Sequence, residues 1–184
     1  MSKPTRLTKE DWLRAGFRAL CDHGPSALKA EPLARRLGTT KGSFYWHFQD
    51  VTGFQMAMLA HWEQRAFSDI VKHLEAEQSL AKRLQQLGRI AATGPGPEYG
   101  GPMVEPAIRA WALSGAAVAE ALRRVDAQRL GYLDELLSEI GLTNPDFARI
   151  IYAGLIGLED LSTRDDLPYQ SPMSTLIDLI LALK

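Results

Sequence analysis

The chain has 184 residues, 46% hydrophobic and 23% charged, with a formal charge of −1. That balance supports a sizeable core and excludes a disordered segment, and the absence of any apolar run near the roughly 18 residues needed to cross a bilayer excludes a membrane-spanning protein. The near-neutral sum hides an asymmetry: residues 1–50 hold nine Lys or Arg against five Asp or Glu, and residues 51–184 hold twelve against seventeen, so a head of about +4 precedes a body of about −5. A basic head suits approach to a polyanion. Length and this shift together predict a small N-terminal domain over residues 1–50 and a larger body over residues 51–184. Cys21 is the only cysteine, so no intrachain disulfide forms, and the first residues lack the apolar core of a secretory leader. The cytoplasm is the expected compartment.

In chain order, Thr8 with Asp11 three residues on predicts a capped start to a first helix, whose buried stripe of Leu13, Phe17 and Leu20 ends at Gly24-Pro25. A second helix carries Leu33, Ala34 and Leu37 on its inner face and Arg35 and Arg36 outside. Pro32 falls in its first turn, where a missing amide costs little, and Gly38 stops it. Thr39 or Thr40 caps a short third helix with Lys41 in its first turn; Phe44 and Phe48 point inward and leave Ser43, Tyr45, Trp46 and His47 on the rest of its surface. Asp50 caps a fourth helix that the apolar residues Phe54, Met58, Trp62, Phe67, Ile70, Val71 and Leu74 extend to about residue 77, a rod of roughly 40 Å. A fifth helix over about 80–92 precedes a Gly- and Pro-rich loop at 93–102, a short helix near 104–113 and a long one over 116–140 that Gly141 ends. Asn144-Pro145 and Ser171-Pro172 open the last two helices. With no strand signal and no internal repeat, the class is all-α.

The run from Leu33 to Phe48 reads as a helix-turn-helix. A helix presenting Lys, hydroxyls and flat rings is equipped to enter a major groove, with Lys41 at a base edge, Tyr45 and His47 on phosphates and Trp46 against a sugar or thymine methyl. The plainer reading is a three-helix bundle in which those rings only pack. Two half-sites roughly 34 Å apart multiply the specificity of so short a reading helix, which favours a dimer. Its four-helix interface would come from Phe147, Ile151, Gly154, Leu155 and Leu158 with Leu176, Ile177, Ile180 and Leu181, packed on their two-fold mates, and the alternative is burial within one chain. Asp126 with Arg123 and Arg129 reads as a charge cluster on a helix surface. There is no HExxH, G-x-S-x-G or phosphate-binding loop, and His23, His47, His61 and His73 lack a metal-ligand pattern, so no catalysis, metal or cofactor is expected.

The order of these parts over residues 8–53, and above all Thr40-Lys41-Gly42-Ser43-Phe44-Tyr45-Trp46-His47-Phe48, resembles the DNA-binding domain of TetR-type transcriptional regulators. The resemblance implies that Thr40, Lys41, Gly42, Ser43, Tyr45, Trp46 and His47, beside Thr39, line the DNA side with Lys41 nearest the bases. Two positions depart from the pattern. Leu28-Lys29 stands where the family often has a Thr opening the second helix, and Val51 where a Lys commonly opens the fourth; Lys29 is the substitute contact to the DNA backbone. The resemblance also implies a small-molecule pocket in the body, for which Trp62, Phe67, Tyr99, Met103, Trp111 and Tyr132 are the apolar candidates and Glu105 and Arg109 the polar ones. So few polar groups favour an apolar or aromatic compound. The expected function is a homodimeric, ligand-responsive repressor of a near-palindromic operator; the alternative is a helical protein-interaction module that uses its C-terminal apolar faces without regulated DNA binding.

Overall fold

The computed structural model describes residues 7–184, and among them every regular element is helical. Residues 1–6, where a leader's absence bears on compartment, lie outside the described residues. Helix α1 (Lys9–His23) opens with the capping box that the spacing predicts: Thr8 Oγ1 accepts the Asp11 amide at 3.2 Å and Asp11 Oδ2 accepts the Thr8 amide at 2.8 Å. Those bonds hold the Asp11 carboxyl below its ordinary range. Helices α2 (Ala30–Arg36) and α3 (Lys41–Tyr45) follow, and Asp50 Oδ1 caps α4 (Val51–Glu63) by accepting the Gly53 amide at 2.6 Å.

The expected rod to residue 77 is not one helix. It passes through a π turn at Gln64–Ser68 into α5 (Asp69–Leu74). It stops short of residue 77 because that segment is bonded as a turn: Arg83 Nη2 donates to Glu77 O at 2.7 Å and the Ser79 amide donates to Glu77 Oε1 at 2.8 Å. Helix α6 (Leu80–Thr93) then leads into the Gly- and Pro-rich segment, which contains two 3-10 turns, Pro97–Tyr99 and Gly101–Met103. Helices α7 (Val104–Ala112), α8 (Ala116–Ile140), α9 (Asp146–Asp165) and α10 (Gln170–Leu181) complete the chain. Asn144 Oδ1 accepts the Asp146 amide at 3.0 Å as an N-terminal cap. Helix α10 begins ahead of Ser171-Pro172, since the Met173 amide already bonds Tyr169 O at 3.0 Å, and Pro172 sits in the first turn where its missing N–H is harmless. No helix among the described residues is long and apolar enough to cross a membrane.

The chain forms two compact units. The first joins the residues up to Trp62 with Pro95–Val118, and the second joins Glu63–Gly94 with Ala119–Lys184. In the first, Trp12, Phe17 and Leu20 of α1, Leu33 of α2, Phe44 of α3 and Phe54 and Met58 of α4 are fully buried. In the second, Leu84 of α6, Leu133 and Leu137 of α8, Ile151 and Leu155 of α9 and Met173, Ile177 and Ile180 of α10 form one core. Helices α6 and α10 are stapled by Gln85 Nε2 to Asp178 Oδ1 at 2.8 Å and by Gln170 Nε2 to Ala92 O at 2.9 Å.

Helix α1 approaches α4 at Gly16, where a Cβ would lie 2.5 Å from Phe54 Cζ and 2.7 Å from Met58 Sδ. Ala normally favours a helix interior over Gly by about 1 kcal/mol, but the Phe54 ring is wholly buried and has nowhere to go. Gly16→Ala is therefore expected to destabilise the protein by about 1–3 kcal/mol, read from urea unfolding. Beyond α1, Gly100 holds φ at 96° with its Cβ position 2.6 Å from Cys21 Sγ, so the lone thiol is packed against backbone. Burial pushes its pKa up to about 11. Alkylation of Cys21 at pH 8 is expected on the order of 100-fold slower than that of free cysteine, rising to the free rate in denaturant.

Candidate nucleic-acid interface

The turn between α2 and α3 is built by a Schellman motif. Gly38, at φ 63°, donates its amide to Arg35 O at 3.2 Å, and Thr39 donates to Ala34 O at 2.9 Å, so two carbonyls at the end of α2 are satisfied as the chain reverses. Of the two threonines it is Thr40 that caps α3, its hydroxyl accepting the Ser43 amide at 3.4 Å. Phe44 then enters a cage of rings: Trp12 edge-on at 5.3 Å, Phe48 at 5.2 Å and Phe54 at 5.4 Å. With Phe44 inward, helical periodicity turns the other residues of α3 outward.

Lys41, Gly42, Tyr45 and Trp46 are exposed, Trp46 to 82%, while Ser43, His47 and Thr39 are half-buried and Thr40 is exposed. The Lys41 ammonium lies 5.9 Å from the Tyr45 ring centroid, and Tyr45 stands edge-on to Phe44 at 5.3 Å. His47 leans on Trp12 at 6.5 Å, so its ring is partly held by the core. A Cβ at Gly42 would meet only Thr40 Oγ1, at 3.6 Å, and no positive φ demands glycine there. Gly42 leaves this surface low between Lys41 and Trp46, a shape suited to close approach of a ligand's backbone.

Packing explains the two departures from the expected pattern. Leu28 is fully buried, leaving Lys29 exposed at the start of α2 with no side-chain cap on that helix. Val51 is half-buried and the capping of α4 falls to Asp50. Arg36 on α2 is paired with Asp22 on α1, which fixes the outer side of the domain.

The residues considered for a small-molecule pocket fall in both units. In the first unit, Trp62 Nε1 donates to Glu105 Oε1 at 3.0 Å and Arg109 Nη2 approaches Glu105 Oε2 at 4.0 Å, with Trp111 also buried and Met103 exposed. Tyr99 stacks on His61 at 5.0 Å and meets Phe17 edge-on at 6.0 Å, and its hydroxyl accepts Arg14 Nε at 3.4 Å. In the second unit, Phe67 and Tyr132 form an edge-to-face pair at 6.2 Å. Among the described residues no three His, Cys, Asp or Glu side chains gather as a metal site.

On α9 and α10, Ile151, Leu155, Ile177 and Ile180 are buried within the protomer's own core, and Phe147, Gly154, Leu158, Leu176 and Leu181 are half-buried. Among the apolar residues that face outward, Ile150 at 47% exposed and Leu183 lie on the faces that periodicity marks, as does the exposed Gly157, whereas Leu161 at 51% and Leu179 at 63% were missed. Periodicity also misread Asp126 and Arg129. They are not a surface cluster, since both are half-buried and bonded to Tyr152, while Arg123 pairs locally with Glu120. The available signal was Tyr152 itself, a phenol on an apolar stripe in need of a partner.

The family model of bacterial regulatory proteins, tetR family, matches residues 13–50, which span the core of α1 to the cap of α4. No curated protein matches the chain. Among solved structures it is similar to a member of the TetR family from Streptomyces coelicolor A3, with TM-score 0.65 and 20% identity over 96% of this chain and 98% of that one. It is similar to SmeT, the repressor of the Stenotrophomonas maltophilia multidrug efflux pump SmeDEF, with TM-score 0.68 and 16% identity over 97% and 90%. A transcriptional regulator from Saccharomonospora viridis, solved in complex with choline, gives TM-score 0.76 and 14% identity over 95% of each chain. Residues 13–50 thus match the helix-turn-helix domain of bacterial regulatory proteins of the tetR family, and over nearly its whole length the chain has the fold of the similar TetR-family structures.

Proposed function

We propose that the protein is a homodimeric repressor that binds a near-palindromic operator through paired α3 helices and leaves it when a small apolar or aromatic compound occupies its body. The observation that carries this reading is the division of α3: Phe44 is locked in a ring cage while Lys41, Gly42, Tyr45 and Trp46 form one exposed surface. Lys41 is the base-reading group, Tyr45, His47, Ser43, Thr39, Thr40 and Lys29 contact phosphates, and Trp46 meets a sugar or thymine methyl. The similar S. maltophilia protein is a repressor, which supports repression, and the similar S. viridis protein holds choline, a small cation, which supports small-molecule binding but not its apolar character. The buried Trp62 and Trp111 with the half-buried Glu105 and Arg109 are the favoured ligand contacts in the first unit.

The test is a titration against a duplex from upstream of the protein's own gene and against a random duplex. Lys41→Ala is expected to weaken specific binding by about 1–3 kcal/mol and random binding by much less. Affinity equal to the parent on both duplexes would remove Lys41 from the interface.

The dimer is proposed to form on the outward stripe of α9, where Ile150, Gly154, Gly157 and Leu161 recur at helical spacing, with Leu176, Leu179 and Leu183 of α10. This shifts the interface from the buried positions that periodicity favoured. A Cβ at Gly157 would meet nothing in the protomer. Gly157→Arg should thus leave the protomer folded and convert a dimer to a monomer, as measured by light scattering at micromolar concentration; a parent that is already monomeric refutes the interface.

A further inference from the structure

From Val51 to Leu74 the chain is right-handed helix throughout, yet it does not keep one register. At the π turn the Asp69 amide donates to Gln64 O five residues back, and Gln64 Nε2 reaches Asp69 Oδ1 at 3.1 Å across the same step. This turn holds one residue more than an α turn. Such turns are rare inside α-helices, and nothing local asks for one here, since Gln64–Ser68 contains neither Pro nor Gly.

The groups that secure it come from α8. Arg129 donates through Nε at 3.2 Å and Nη2 at 3.1 Å to Ala66 O, the middle carbonyl of the turn. In an uninterrupted α-helix a backbone amide takes that acceptor. The guanidinium is itself oriented: Nη1 donates to Tyr152 Oη at 3.2 Å, and Tyr152 Oη donates to Asp126 Oδ1 at 2.6 Å. At the near edge of the turn Arg124 forks onto Glu63, Nη2 to Oε1 at 2.7 Å and Nε to Oε2 at 3.3 Å. All of these groups belong to the second unit.

We infer that Arg129 is a positioning residue that selects the π over the α register at Gln64–Ser68. A guanidinium can hold the turn because two donors of its planar fork meet one carbonyl while a third is fixed on the tyrosine.

The test compares four full-length proteins: the parent, Arg129→Met, deletion of Ser68, and the two changes combined. Ser68 is exposed, and its deletion removes the extra residue so that Gln64 and Asp69 stand one α turn apart. Arg129→Met is expected to speed amide exchange across residues 64–70 by about tenfold or more. The deletion alone should keep slow exchange, and within it Arg129→Met should change the exchange by less than about twofold. Equal losses in both backgrounds, or unchanged exchange at residues 64–70 in a folded Arg129→Met protein, would make Arg129 an ordinary stitch and overturn the inference. Arg129→Lys, which keeps the charge without the fork, takes the place of Arg129→Met if that protein does not fold, and the same outcomes decide.

Discussion

A helix of five residues does not hold in water, where roughly a dozen are needed for even marginal stability, so α3 exists only because Phe44 is buried. The rings around it come from three other places along the chain: Trp12 from α1, Phe48 from the segment after α3 and Phe54 from α4. Phe48 and Phe54 also pack edge-on to each other at 4.9 Å, which closes the cage. Aromatic pairs of this geometry add about 0.5–1.5 kcal/mol each beyond the area they bury. The outward direction of Lys41, Tyr45 and Trp46 is a consequence of that burial, not of any bond they make themselves. The surface that meets DNA in the proposed function is the reverse side of a hydrophobic anchor.

The backbone around α3 is fixed by equally local means. Gly38 in the left-handed region and the paired amides of Gly38 and Thr39 set the angle at which α3 leaves α2. Thr40 and Asp50 then fix where α3 and α4 begin. These devices act through contacts of three to five residues, and they were legible in the sequence for that reason: the Thr8 and Asp11 pair, the Gly38 stop, the Asp50 cap and the span of α8 were all readable from neighbours within a turn or two.

What was not legible depends on residues far apart. The apolar positions Trp62, Ala66, Phe67, Ile70 and Leu74 are compatible with an α or a π register, and the choice is made by Arg129, 63 residues away from the carbonyl it holds. Asp126 and Arg129 looked like surface charges because their partner Tyr152 lies on another helix. In α9 and α10 the apolar residues run nearly all the way round, with Ile150 exposed directly beside Ile151 in the core. Periodicity identifies such helices but not the side that faces inward.

Neither compact unit is continuous along the chain. The first recruits Pro95–Val118, with Tyr99 and Ile108 buried in it, and the second is closed by α10 at the very end. Ribosomes deliver about 5–20 residues per second from the N-terminus, so the first unit must wait for α7 to emerge before its core is whole. A product of premature termination before α10 leaves Leu84, Ile151 and Leu155 without Met173, Ile177 and Ile180 to cover them. Such a fragment exposes sticky surface to proteases and chaperones, and the cell's quality control, not any competition for promoter sites, decides its fate.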